Sequence, residues 1–284
     1  MHVGPRCSVG RMSTPENPQA RERNRAVWEA GDWDQMAPRV EAAGPRLLHA
    51  IGDVGPGLRL LDVGTGSGGS IAIPAAGRGA EVTGCDITDA WFDAARRRAA
   101  EAGVEVQWVV GDAVELPFAD ESFDIVTSTF GHMFAPDQAA AARELVRVTR
   151  PGGTIGLCCW TPDSVLSRLM ALGAEVLPPP TTGYQPPVLW GSEPHVRALL
   201  EPLGVTLEMH REAIAIRAPS PELQITFFEH NFGPVVVAKA ALGEDWPAAR
   251  EALLAFVHAT NEADDGTLAV DYEYLMTIGR VAGG

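Results

Sequence analysis

Apolar and polar positions divide the chain into stretches of different period. Between Ala20 and Ile51, the residues Val27, Trp28, Met36, Val40, Leu47, Leu48 and Ile51 recur at helical spacing, with a break expected at Ala37-Pro38, which predicts two or three short helices. From residue 58 onward, five short apolar runs read as buried strands: 58–63, 81–85, 104–110, 123–129 and 154–159. The segments between them, 71–78, 89–102 and 137–148, have helical spacing or composition. Strand alternating with helix predicts an α/β fold: a doubly wound, mostly parallel sheet with helices on both faces. Pro74 falls inside the first of these helices and is expected to kink or shorten it.

The alternation stops after Trp160. Thr161-Pro162 reads as a helix start, the prolines at 178–180 and 186–187 as a stiff loop, and Ser192 as the lead into another helix. Residues 205–217 alternate as a long strand that 272–281 is expected to pair with. The stretch between them is helical in composition and rich in Phe and Trp, and it reads as a lid over about 219–265. The expected organisation is a disordered lead over 1–19, which contains a second methionine at Met12, then capping helices over 20–57. A ligand-binding core follows over 58–160, and C-terminal strands carrying the lid occupy 161–284.

Charge narrows the partners. With 22 basic against 37 acidic residues, the net charge of −15 opposes the counterion release that drives nucleic-acid binding and the attraction to anionic bilayers. A small molecule is the expected partner, with neither nucleic acid nor membrane. No apolar run reaches membrane-spanning length and the N-terminus lacks a signal-peptide core, so the expected compartment is the cytoplasm. The four cysteines, Cys7, Cys85, Cys158 and Cys159, form no C-x-x-C pair and read as free thiols; no metal site is expected.

The sharpest motif is Leu60-Leu61-Asp62-Val63-Gly64-Thr65-Gly66-Ser67-Gly68-Gly69, a strand running into a glycine turn and a helix. Such a turn brings main chain close to a ligand, with the helix N-terminus facing its polar end. Gly64-x-Gly66-x-x-Gly69 also matches the dinucleotide fingerprint of nicotinamide enzymes. Asp86, ending the second strand, suits the hydroxyls of an adenosine ribose and serves either cofactor. Asp112, in Gly111-Asp112-Ala113, is placed to accept from an adenine amino group, which a dinucleotide site does not require.

With Arg150-Pro151-Gly152-Gly153 added, residues 58–157 resemble the class I S-adenosylmethionine-dependent methyltransferases, particularly the bacterial ubiquinone and menaquinone C-methyltransferase type. The resemblance implies their Rossmann-like fold with a seven-stranded sheet, and S-adenosyl-L-methionine as cofactor. It implies cofactor contacts from Asp62, Gly64, Thr65, Gly66 and Gly68 in the loop, from Asp86 and Ile87 at the ribose, from Asp112 and Ala113 at the adenine, and from Thr129 and Phe130 after the fourth strand. Thr65 and Ser67 replace the cysteine and threonine common there, at positions that present mainly backbone.

The implied reaction is in-line methyl transfer to a small acceptor. His132, just after the fourth strand, is the candidate general base. Trp33, Met36, Trp160, Tyr184, Trp190, Phe228 and His230 are candidates for the acceptor pocket. Val235-Val236-Val237 reads as core or as a homodimer contact. Two other readings stand beside this one: an NAD-dependent oxidoreductase, and a module that binds S-adenosylmethionine without transferring its methyl group.

Overall fold

The computed structural model describes residues 18–175 and 185–283, without the side chains of 18–20 and 173–175. Seven strands form one mixed sheet in the order β3-β2-β1-β4-β5-β7-β6. They are β1 (Arg59–Val63), β2 (Glu81–Asp86), β3 (Gln107–Val110), β4 (Phe123–Thr129), β5 (Thr149–Trp160), β6 (Val205–Ala218) and β7 (Leu268–Val281). The first five are parallel, and β7 runs antiparallel between β5 and β6. The mostly parallel sheet expected from the alternating pattern is therefore present. Leu60, Leu61, Val126, Ile155 and Leu157 of its central strands are at most 1% exposed. Burial on both faces is what near-continuous apolar runs imply.

Eleven helices are described: α1 (Pro18–Glu29), α2 (Trp33–Met36), α3 (Ala43–Ile51), α4 (Ala72–Gly77), α5 (Phe92–Glu101), α6 (Gln138–Val148), α7 (Val165–Glu175), α8 (Glu193–Leu200), α9 (Pro221–Asn231), α10 (Gly233–Leu242) and α11 (Trp246–Thr260). The expected break at Ala37-Pro38 is instead a tightening: α2 runs directly into a 3-10 turn, Ala37–Arg39, with Pro38 at its start. The helix that carries Pro74 is shorter than the expected 71–78: α4 begins only at Ala72 and ends at Gly77. Pro74 thus sits in the first turn, where its missing N–H has no intrahelical partner to lose.

Other boundaries shift for local reasons. The third strand is shorter than the apolar run suggests, since the N–H of Val104 is spent on the Ala99 carbonyl after α5 and pairing with β2 begins at Gln107. Arg150-Pro151-Gly152-Gly153 does not merely precede β5 but bulges within it, Thr149 pairing Phe123 and Thr154 pairing Ile125. α7 starts at Val165 rather than at Thr161, whose hydroxyl donates to Glu273 Oε1 at 2.9 Å. The prolines at 178–180 lie outside the described residues, whereas Pro187 opens a 3-10 turn to Gly191.

The helical insertion between β6 and β7 consists of α9, α10 and α11. It packs on the N-terminal helices through a close backbone crossing. A Cβ on Gly233 would collide with the Val27 carbonyl, and the N–H of Asp32 donates to the Asn231 carbonyl at 2.9 Å. Among the described residues no helix is long and apolar enough to cross a membrane.

Candidate functional site

The strand order reverses at β1, whose neighbours β2 and β4 lead in opposite directions, and ligand crevices form outside the carboxyl ends of such strands. A cavity partly open to solvent lies there. Its floor is the loops after β1, β2, β3 and β4; Asn24 and Trp28 of α1 and Trp33 of α2 also line it.

The glycine loop forms the floor because only glycine fits there. Gly64 has φ 69°, and a Cβ on it would stand 2.6 Å from the Cα of Gly131, so the loops after β1 and β4 meet backbone to backbone. Above Gly66 the space a Cβ would take is filled by the Trp33 indole. Asp62 lies beneath this loop and does not reach the cavity. Its carboxylate accepts from Thr65 Oγ1 at 2.8 Å and Thr127 Oγ1 at 3.2 Å, and burial pushes its pKa up to about 7. Thr65 is likewise buried, and Gly68 packs against Trp108; neither lines the cavity.

Asp86 does face the cavity. Its Oδ2 accepts from the N–H of Gly66 at 2.8 Å and its Oδ1 from that of Thr88 at 3.3 Å, which fixes the carboxylate while leaving lone pairs for a ligand. Burial raises its pKa to about 6, against the opposing pull of those backbone donors. Ile87, Asp112, Ala113, Thr129 and Phe130 line the same cavity. Asp112 already holds two partners, the N–H of Val114 at 3.1 Å and the Arg21 guanidinium at 3.0 Å.

Phe130 carries the wall after β4 in a left-handed conformation, φ 60°, that non-glycine residues rarely adopt. Its N–H donates to the Cys158 carbonyl at 2.8 Å, and its ring stacks on Trp160 with centroids 3.7 Å apart. Trp160 therefore backs the wall from behind. His132 lines the cavity but is 1% exposed, with Nε2 3.8 Å from the Cys159 thiol and its ring edge-on to Trp190 at 4.5 Å. Its Nδ1 has no hydrogen-bond partner among the described residues, and burial pushes its pKa down to about 3. The candidate base is thus an uncharged imidazole at neutral pH.

The remaining candidates for the acceptor pocket separate. Trp33 is in the lining. Met36 and Trp190 are buried and do not line the cavity. Phe228 is buried in the insertion against Phe232, whose ring lies 6.5 Å from that of Trp28. His230 is exposed and spends its Nδ1 on the Thr226 carbonyl at 2.7 Å. Tyr184 lies outside the described residues.

Sequence reasoning missed Asn24, Trp28, Trp91 and Phe134, all in the lining. Trp28 stacks edge-on with both Trp33 and Phe134, at 5.8 and 4.7 Å. The reasoning that nominated Trp33, an aromatic on a helix expected to cap the cleft, applies equally to Trp28.

These residues fit an adenosyl ligand. A carboxylate with free lone pairs ends β2, a second lies at the end of β3, and a glycine floor admits close backbone approach. Among the described residues no three His, Cys, Asp or Glu side chains group as a metal site.

Comparison with known proteins bears on the same loops. The family model described as "Methyltransferase domain" matches residues 61–157. An uncharacterised protein of Mycobacterium tuberculosis is 40% identical over 257 residues, 89% of this chain and 92% of its own length. A demethylmenaquinone methyltransferase of a Mycobacterium species is 42% identical over 105 residues, 37% of this chain and 43% of that protein. A Bacillus halodurans protein of known structure superposes with a TM-score of 0.62 at 20% identity, over 85% of this chain and 99% of its own.

Proposed function

The chain belongs to the class I S-adenosylmethionine-dependent methyltransferases, and from that premise we propose that it transfers the methyl group in line to a small, partly apolar acceptor lodged against Phe130, His132 and Phe134. The observation that carries this reading is the asymmetry of the cavity. Its two carboxylates, Asp86 and Asp112, stand at the ends of β2 and β3, while the side after β4 is walled by Thr129, Phe130, His132 and Phe134. The comparisons favour neither the oxidoreductase nor the binding-module reading.

Bound S-adenosylmethionine supplies an electrophilic methyl group on a sulfonium, with a neutral thioether as leaving group. The protein's task is then chiefly orientation, an effect on the order of 7–11 kcal/mol in well-oriented intramolecular models. Asp86 would accept from the ribose hydroxyls, with Ile87 beside it, and Asp112 and Ala113 would flank the adenine. Gly64 and Gly66 would lie under the aliphatic part of the cofactor. Asp62 acts one layer below as a positioning residue, tying Thr65 of the loop to Thr127 of β4.

Trp28 and Trp33 form an aromatic roof that meets Phe134 of the wall edge-on, and an aromatic face turned to a sulfonium attracts it by about 0.5–2 kcal/mol. α1 and the helical insertion would act together as the lid, excluding water from the reacting groups.

His132 fits the role of an uncharged hydrogen-bonding partner better than that of a proton store, because burial leaves it a weak base. Its unpartnered Nδ1 is the group available to an acceptor hydroxyl, amine or carbonyl. The test is turnover with radiolabelled S-adenosylmethionine on a panel of small apolar acceptors, with His132→Ala and His132→Asn beside the wild type. The expected outcome is a labelled small product and a kcat/KM reduced about tenfold to a hundredfold in His132→Ala, partly restored in His132→Asn, with no inflection between pH 6 and 8 due to this residue. Unchanged turnover in His132→Ala would remove it from the site.

A further inference from the structure

The cofactor cavity carries negative charge and no cation in its lining. Asp86 and Asp112 line it, and among the described residues no lysine or arginine does. Asp112 is matched by the Arg21 guanidinium at 3.0 Å, which stands outside the lining. Asp86 is held by backbone N–H groups, and among the described residues no cation offsets it. Roof and wall add rings but no charge: Trp28, Trp33, Phe130 and Phe134, with His132 kept neutral by burial.

These features sort methyl acceptors by charge and by proton. A carboxylate, phosphate, phenolate or enolate would enter a field of its own sign, with no guanidinium or ammonium in the lining to hold it. A neutral hydroxyl must lose its proton during attack, and the lining offers it no base. Asp86 and Asp112 stand at the cofactor end, and His132, its pKa pushed down to about 3, binds protons too weakly. An alkylammonium suits the charge but has no lone pair to attack with. The acceptor atom must therefore be uncharged, with its lone pair already free at neutral pH. A ring nitrogen of the imidazole or pyridine type meets both demands, as the histidine side chain shows with its unperturbed pKa of about 6.5. The flat body of such a ring also suits an aromatic wall.

Resting on the methyl-transfer reading above, we infer that the methyl acceptor is an uncharged nitrogen in an aromatic ring, lodged between the roof of Trp28 and Trp33 and the wall of Phe130 and Phe134. The nitrogen lone pair forms the bond to the methyl carbon as the carbon–sulfur pair withdraws to sulfur. Positive charge passes from sulfur to the ring, and no proton moves in that step. An imidazole bearing N–H then gives its proton to water, whereas a pyridine-type ring keeps the charge. Because the reacting pair carries one positive charge throughout, carboxylates and aromatic faces that favour the sulfonium favour the methylated ring as well.

The test holds the apolar body constant and varies the acceptor group. Isoquinoline, 2-naphthol, 2-naphthoate and 2-naphthylmethylamine, with 4-phenylimidazole beside them, are offered to the full chain with radiolabelled S-adenosylmethionine. Label is expected on isoquinoline or 4-phenylimidazole at a kcat/KM about tenfold or more above the other three. The rate should fall at low pH with an inflection that follows the acceptor's own pKa. Calorimetry on the chain saturated with S-adenosylhomocysteine gives a reading apart from turnover. N-methylisoquinolinium should bind about tenfold or more tightly than 2-naphthoate. Its advantage over uncharged 2-methylnaphthalene should shrink severalfold in Phe134→Leu, which keeps the apolar bulk without the ring.

Preferred transfer to the naphthol, the acid or the alkylamine overturns this inference alone. So does an absence of label on both ring nitrogens while S-adenosylhomocysteine binds, or binding of naphthoate as tight as that of the ring cation. Failure of S-adenosylhomocysteine to bind the wild type sinks the methyl-transfer reading and this inference together.

Discussion

The floor of the cavity and its roof are built by different means. The floor comes from the short turns after β1, β2, β3 and β4, where main chain and two carboxylates do the work and side-chain identity matters little beyond glycine and aspartate. The roof comes from side chains on helices: Asn24 and Trp28 from α1 and Trp33 from α2, packed in turn on α9 and α10 of the insertion. A backbone-built floor tolerates change in the rest of the protein as long as the turns keep their shape. A side-chain roof changes with each substitution, which suits it to choosing an acceptor while the floor keeps one cofactor.

The sharpest way to break the floor is Gly64→Val. The new Cβ would run into Gly131, and a β-branched residue would have to hold φ 69°, so stability should fall by roughly 2–4 kcal/mol and S-adenosylhomocysteine binding should be lost. Denaturant titration and calorimetry measure the two effects. Near-normal binding by this variant would mean that the loops after β1 and β4 need not touch.

The roof should give way more gently. Trp33→Ala removes an indole that lies on Gly66 but no part of the floor. S-adenosylmethionine affinity should weaken by about twofold to thirtyfold, the equivalent of the ~0.5–2 kcal/mol of an aromatic–cation contact. The neutral S-adenosylhomocysteine should lose less than the sulfonium. An equal loss for both would reduce Trp33 to simple covering and remove the charge from its role.

The same division explains what the sequence made legible. Floor residues are contiguous in short motifs, so the strand, turn and carboxylate pattern located Gly64, Gly66, Asp86 and Asp112 directly, and the central parallel sheet followed from its apolar runs. Asp62 shares the glycine motif but lies beneath it. The motif alone does not distinguish a residue that touches the ligand from one that holds Thr65 and Thr127 together.

Roof and wall residues come from distant segments, and their roles depend on which helix face turns inward. That is why Trp160 and Trp190, adjacent to the site in aromatic stacking, stand behind Phe130 and His132 instead of in the cavity. His230 looked like chemistry because of its residue type, yet its position on α9 turns it to solvent.

The most direct test is calorimetric titration of S-adenosylhomocysteine into wild type, Asp86→Ala and Asp86→Asn between pH 5 and 8. Ribose hydroxyls donate to the ionised form of Asp86, whose pKa without ligand is raised by burial to about 6, so protonation competes with binding. Wild-type affinity should hold steady above about pH 6 and fall by up to tenfold per unit below it, since each pH unit is worth about 1.4 kcal/mol for one proton. Asp86→Ala should bind at least about tenfold more weakly at pH 8, and Asp86→Asn should lose the pH dependence. Tight binding by Asp86→Ala, or no binding by the wild type at any pH, would contradict the assignment of this cavity to the adenosyl cofactor.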